Sequence, residues 1–372
     1  MPRTRLALDD CRSSHPGQPG RPLLRVVFPV VLFSLLGIPS PASGPAPAAQ
    51  GPSAQSATWR VTIVLPAKIV ARDPVTLAVL GADGRLAPGV AVELGDGRRV
   101  TTDRTGRAFF NAPSAGGILL ARASGASAAA LIDAARPAEP LPAIAVAPEV
   151  SLRDRFSICG PGLRGNSDEN RVRINGEPAL VIAASPECLV VLPKPETTAG
   201  TATISIDASG IEFRATTTVV SLDFESPDPA LAPGEKGRLV VRVHGSQERL
   251  RILVDNQTPT VLRFLGPDSQ ELLTSGGPEN SATVGVQAIR SGDFSFLARL
   301  LPAPDASIAI RYLGAAVPLA PRDLRQQLTK LVGRLAHHPR DIEAARRVVE
   351  QMISVTIAGD FRTLLDAAHA AL

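Results

Sequence analysis

Ile158-Cys159-Gly160-Pro161-Gly162-Leu163-Arg164-Gly165 is followed by Val172-Arg173-Ile174-Asn175-Gly176-Glu177-Pro178-Ala179, and then by Leu189-Val190-Val191-Leu192-Pro193. Each apolar run lasts a few residues and then meets glycine or proline. Those residues supply turn geometries and cannot extend a hydrogen-bonded ladder. Short runs with such stops are the pattern of a small antiparallel β-sandwich.

The same period of two continues upstream. After a small-residue linker at 49–58, Val61, Ile63 and Leu65 alternate from Trp59 onward. Val75, Leu77 and Val79 do the same, as do Val90, Val92 and Leu94. The intervening turns are Gly81-Ala82-Asp83-Gly84, Gly95-Asp96-Gly97 and Thr102-Asp103-Arg104-Thr105-Gly106. Asp-Gly pairs suit tight hairpins because glycine accepts positive φ. A calcium role for Asp83, Asp96 and Asp103 would require their oxygens to converge; three separate hairpin turns is the reading adopted.

Two resemblances follow. Val75–Leu80, Asp83-Gly84, Pro88-Gly89-Val90 and Thr102 to Phe110 resemble bacterial Ig-like repeats of the invasin and carboxypeptidase-regulatory kind, which implies a sandwich over 59–135. Ala134 to Pro148 is a proline-spaced connector. Beyond it, Ile158, Gly160, Gly162 and Leu163, then Val172, Ile174, Asn175, Gly176, Pro178, Ala179 and Val181, and finally Pro193, resemble the IPT/TIG family of Ig-like domains. Leu163 stands where phenylalanine is usual, and the glycine often found after the opening proline is absent after Pro148. The resemblance implies an Ig-like sandwich over 143–222. It implies fold and not chemistry, because such folds host many functions.

A third β block is expected over 232–315. There Leu239, Val241 and Val243 alternate, as do Leu250, Ile252 and Val254, and Phe294, Phe296 and Ala298. Its most polar loop, with Ser275, Gly276, Gly277, Glu279 and Asn280, is the candidate contact surface; the alternative is an ordinary connection. Over 319–372 the period changes. Leu324, Leu328, Leu331 and Leu335 share one helical face, and Ile342, Ala345, Val349 and Met352 share another. Pro339 is placed in the first turn of the second helix. Gly359 is its stop, and Asp360 the N-cap of a third helix with Phe361, Leu364 and Leu365. These stripes must be buried, either within the molecule or by a partner or self-association.

At the start, five arginines against two aspartates precede or flank Val26 to Ile38, a thirteen-residue apolar run, and Ala46-Pro47-Ala48 offers a cleavage site. A basic lead, a short apolar segment and a small-residue exit read as a secretory signal peptide over 1–48. A spanning helix needs about 20 apolar residues, so an uncleaved anchor is the alternative, and membrane contact is expected only through that segment. Export places Cys159 and Cys188 in an oxidising compartment, where an even pair forms a disulfide. The alternative is two buried thiols. A bridge would contribute roughly 3–4 kcal/mol.

Composition narrows the function. With 372 residues, two or three domains are expected. The net charge of +4 is concentrated at the start and forms no basic stripe, so nucleic acid is not an implied partner. One Trp and one Tyr leave little for ring-stacking surfaces, which counts against polysaccharide recognition except through Trp59 or Tyr312. No metal or cofactor motif occurs. His337-His338 reads as a solvated helix end, Ser275 has no partnered base, and Gly160 to Gly165 follows no βαβ pattern. The expectation is therefore mainly β: tandem Ig-like sandwiches with a short C-terminal helical segment. The chain reads as an extracytoplasmic, non-catalytic binding or scaffold protein of the cell envelope, with an envelope protein or polysaccharide as partner. The alternatives are a polysaccharide-binding accessory protein and an assembly protein that oligomerises through 319–372.

Overall fold

The computed structural model describes residues 61–136, 143–225 and 231–372. The expected signal segment, the linker and Trp59 lie outside the described residues. Among the described residues the chain is mainly β, with three sandwiches in series and four α-helices at the C-terminal end.

The first module contains β1 (Thr62–Val64), β2 (Lys68–Val70), β3 (Pro74–Leu80), β4 (Ala91–Leu94), β5 (Arg99–Thr101), β6 (Arg107–Asn111), β7 (Gly117–Ala123) and β8 (Ala126–Asp133). One sheet is β1-β3-β6 and the other is β2-β8-β7-β4-β5. Val75, Leu77, Val79, Val92, Leu94, Leu119 and Ile132 fill the space between them. The alternation read from the sequence places these residues inward, since successive side chains on a strand face opposite ways. The strand β3 goes further: Thr76, Ala78 and Leu80, on its other face, are buried as well.

The second module contains β9 (Ala145–Val146), β10 (Glu149–Ser151), β11 (Phe156–Cys159), β12 (Asn170–Ile174), β13 (Glu177–Ala184), β14 (Cys188–Leu192), β15 (Gly200–Ala208) and β16 (Ile211–Glu225). Its core is built on Ile158, Ile174, Val181, Leu189, Val191, Ile204 and Ile206. Cys159 and Cys188 form the expected disulfide, on directly paired residues of β11 and β14. Because paired residues of antiparallel neighbours project to the same face, both cysteines lie opposite Ile158 and Leu189. Cys188 is nevertheless fully buried.

The third module contains β17 (Lys236–His244), β18 (Arg251–Asn256), β19 (Leu262–Phe264), β20 (Ser269–Leu273), β21 (Ser281–Ala288) and β22 (Phe296–Leu300). Its two layers close on Leu239, Val241, Ile252, Val254, Phe264 and Val286. No loop separates its first sheet from the second module. The fifteen-residue strand β16 pairs β15 through residues 211–219 and then pairs β17 through residues 221–225.

The helices are α1 (Ala306–Ala316), α2 (Arg322–His337), α3 (Ile342–Val355) and α4 (Asp360–Ala371). The first is a correction: residues 306–315 were expected to end the third β block. Asp305 caps a helix there, accepting from the N–H groups of Ser307 and Ile308 at 2.9 and 3.2 Å. Two smaller corrections concern the later caps. Asp341 precedes α3, leaving Pro339 outside it, and Gly359 precedes α4, making Asp360 the first helical residue. The apolar stripes of all four helices are buried together, and Leu131, Ile118, Leu120 and Ala129 of the first module join that core. The helical unit therefore sits on the outer face of β7 and β8. Arg122 pairs with Asp360 there, Arg311 pairs with Asp133 at 2.7 Å, and Ser127 meets Thr363 at 2.5 Å. On its other side the buried Arg346 reaches Glu271 of β20 at 2.8 Å. The chain thus returns on itself, and its last residues cover its first sandwich.

Candidate functional site

The glycine-rich run after β11 forms the contact between the first two modules. A Cβ on Gly165 would lie 2.0 Å from the carbonyl oxygen of Pro74, so no larger residue allows this approach. Gly162 has φ of +79°, a region open to glycine. Asn170, nearly fully buried, staples the loop. Its Oδ1 accepts from the Arg164 N–H at 3.0 Å, and its Nδ2 donates to the carbonyls of Arg164 and Asn166, both at 2.9 Å.

The neighbouring contacts are polar and satisfied. Thr76 Oγ1 donates to the Gly165 carbonyl at 2.7 Å and accepts from the Ser167 N–H at 3.2 Å. Arg107, with a side chain only 11% exposed, pairs with Asp168 at 2.7 Å and donates to Ser167 Oγ at 2.7 Å and to the Val181 carbonyl at 3.2 Å. Ser185 Oγ donates to the Lys68 carbonyl at 2.5 Å. Beside them Val64, Ala78 and Leu80 pack on Ile182, Ala183 and Val190, a separate apolar core between modules. A single ladder pair, Thr76 with Ala184, continues the sheet of one module into the other. The contact is apolar at its centre and hydrogen-bonded around it.

Along the rim of this contact opens a cavity of about 410 Å³. Pro74, Phe109 and Arg136 line it from the first module. Pro161, Arg164, Asn166, Glu169 and Glu187 line it from the second. Phe109 projects from β6 between the inward-facing Ala108 and Phe110, and it is 57% exposed. Arg136 pairs with Asp73 at 3.0 Å and lies 3.9 Å from Glu187. Asn166 Nδ2 donates to Glu169 at 3.2 Å. The lining therefore offers one open aromatic face, two guanidinium groups and two carboxylates.

The residues singled out by sequence occupy other places. Asn280 is buried; it donates to the carbonyls of Ser246 and Glu248 at 3.1 and 2.7 Å and accepts from the Gly276 N–H at 2.8 Å. The Gly277 N–H reaches the Gln247 carbonyl at 2.7 Å. Ser275 Oγ accepts from the Ser281 N–H at 3.0 Å. Glu279 pairs with Arg242 at 2.7 Å. The loop is thus laced to its neighbouring turn. Asp83, Asp96 and Asp103 each accept from a backbone N–H two residues on, at 3.0, 3.1 and 2.7 Å. The Thr105 hydroxyl holds the Asp103 carboxyl below the usual range. His337 Nδ1 contacts the Gly333 carbonyl at 2.7 Å, at the end of α2. Tyr312, offered as a ring for sugar stacking, is buried under β8 with its hydroxyl donating to the Ala129 carbonyl at 3.4 Å, and burial pushes its phenol up. Among the described residues no group of three or more His, Cys, Asp or Glu side chains could hold a metal ion. The cleft and Phe109 were missed, although Phe109-Phe110 carried the signal. Adjacent residues of one strand cannot share a face, so one of two neighbouring phenylalanines had to point outward.

No family model and no curated protein matches the chain. Among solved structures it is similar to the plexin A4 extracellular region, at 12% identity and a TM-score of 0.25, over 68% of this chain and 24% of that one. It is similar to the I9–I11 tandem of titin, at 14% identity and a TM-score of 0.22, over 64% of this chain and 95% of that one. A mixed-linkage glucan utilisation protein of Bacteroides ovatus, solved with a heptasaccharide, gives 13% identity and a TM-score of 0.21, over 63% and 72%. The chain spans about a quarter of the plexin region it matches. Similarities of this size say nothing of shared activity.

Proposed function

We propose that the chain is an exported, non-catalytic binding and scaffold protein of the bacterial cell envelope, and that the cleft between its first two modules is the contact surface. In this reading the first module is of the invasin and carboxypeptidase-regulatory kind, over 59–135, and the second is an IPT/TIG module, over 143–222. The third sandwich begins near 232 and gives way to the helical unit at Asp305. The disulfide supports a location outside the cytoplasm, since such bridges persist in oxidising compartments.

One observation carries the binding assignment. Two sandwiches are fixed against each other by buried apolar and polar contacts, and an open cleft with an exposed aromatic ring lies on that fixed joint. A preformed cavity binds without the entropic cost of ordering its walls. The test has two parts. Fractionation of producing cells should find the bridged chain without its leader outside the cytosol. The purified chain, immobilised, should retain a component of the envelope fraction saturably. A cytosolic chain with its leader intact, or no saturable retention, ends this reading.

A further inference from the structure

We infer that the cleft on the joint between the first two modules takes a neutral glycan, with Phe109 as the surface on which a sugar ring stacks. This rests on the binding role proposed above and gives it a ligand class. A pyranose ring presents a face of C–H bonds, whose partial positive charge suits the negative face of an aromatic ring. Phe109 offers such a face at 57% exposure. Along the same module surface Val64, Ala78 and Leu80 are covered by the second module, whereas Phe109 stays open at the edge of that cover.

The polar lining selects the ligand's charge. Arg136, Arg164 and Asn166 supply donors, and Glu169 and Glu187 supply acceptors. The lining carries two cations and two anions, so an acidic polymer would meet carboxylates and a basic peptide would meet guanidiniums. Hydroxyl groups each donate and accept, and they satisfy both kinds of partner without adding charge. A cavity of about 410 Å³ lies within the usual range for small-ligand sites. Its walls are also set in advance. Asn170 fixes the backbone that carries Arg164. Glu187 adjoins Cys188, which is bridged to Cys159.

Calorimetric titration of the full, bridged chain with neutral oligosaccharides of two to six hexose units, and with uronic-acid oligomers of the same length, tests the assignment. At least one neutral series should bind saturably. Phe109→Ala should weaken that binding about tenfold, Phe109→Trp should retain or strengthen it, and Ser275→Ala should leave it unchanged. Because Phe109 is exposed, its variants should melt as the parent does, and that measurement separates lost binding from lost fold. Binding of the uronic acids alone, or neutral binding that Phe109→Ala leaves intact, overturns the inference. So does an absence of saccharide binding while the envelope fraction is still retained; that outcome leaves the binding role standing and removes only the glycan. Loss of both removes both.

Discussion

The first and second modules are the same kind of sandwich, and their strands are patterned differently. In the second, the outer face of β12, β15 and β16 is polar. Arg171, Arg173, Thr201, Thr203, Arg214 and Thr216 are exposed there, with Thr203 opposite Thr216 and Ser205 opposite Arg214. In the first, β3 and β8 carry buried apolar residues on both faces, Ala78 and Leu80 on the outer face of β3 and Ala129 and Leu131 on that of β8. The outer face of β3 lies under the second module, and that of β8 lies under the helices. A sandwich needs one buried face per sheet. A second apolar face reports a neighbour: β13 and β14 of the second module have one where they meet β3, and the first module has two, so it is the hub between the second module and the helical unit.

The sharpest way to break this comparison is to remove residues 306–372. That uncovers Ile118, Leu120, Ala129 and Leu131 on the first module and leaves the outer face of the second module as it was. The shortened chain should aggregate, and limited proteolysis should cut the first module before the second; a soluble monomer with both modules protected contradicts the hub. Next is Gly165→Ala. Its Cβ would strike the Pro74 carbonyl at 2.0 Å, so a loss of ~3 kcal/mol is expected by chemical denaturation. Gly176→Ala is the internal control. It has φ of +84° in a hairpin of the second module and no atom within 4 Å, so only ~1 kcal/mol should be lost. Equal costs would place no special burden on the joint.

A smaller effect should follow pH. The carboxyl of Glu271 is pushed up by burial, but the hydrogen bond from Arg251 and the charges of Arg346 and Arg251 outweigh this, and it sits below its ordinary 4.5. A carboxyl depressed in the folded state stabilises fully above its unfolded pKa, and that contribution is lost as the pH falls through the lower folded value. The melting temperature should therefore decline below pH 4.5 more steeply for the parent than for Glu271→Gln. Parallel declines would show that the tie between the third module and α3 contributes nothing. Smallest of all, Thr203→Ala or Thr216→Ala on the open face of the second module should change stability by less than ~0.5 kcal/mol.

Much of the internal layering was legible in the sequence, because period two and glycine or proline stops are local signals. The cysteine pairing was legible too, from an even pair in a chain read as exported. Both cysteines lie on the outer face, opposite Ile158 and Leu189, and Cys188 is buried there rather than in the module's core. What local pattern could not give was partnership between modules. The strand β16 crosses from the second sandwich to the third, because nothing in a run of alternating residues marks which sheet each half will join. Residues 306–316 carry two periods at once. Ile308, Ile310 and Tyr312 alternate, while Ala309, Tyr312, Leu313 and Ala316 lie at helical spacing, and the second set is buried. Burial against α4 and β7 settled the choice. Phe109 was legible in principle; Arg164 and Glu187 became cleft residues only through a contact between modules.

The pairing of Arg122 with Asp360 spans 238 residues. A ribosome delivers the amino end first, at about 5–20 residues per second. Leu131 is therefore made about 9–35 s before α1 follows it. Until the helices are made, nothing in the chain covers Ile118, Leu120, Ala129 and Leu131. Its final shape is a late event that depends on the tail's arrival.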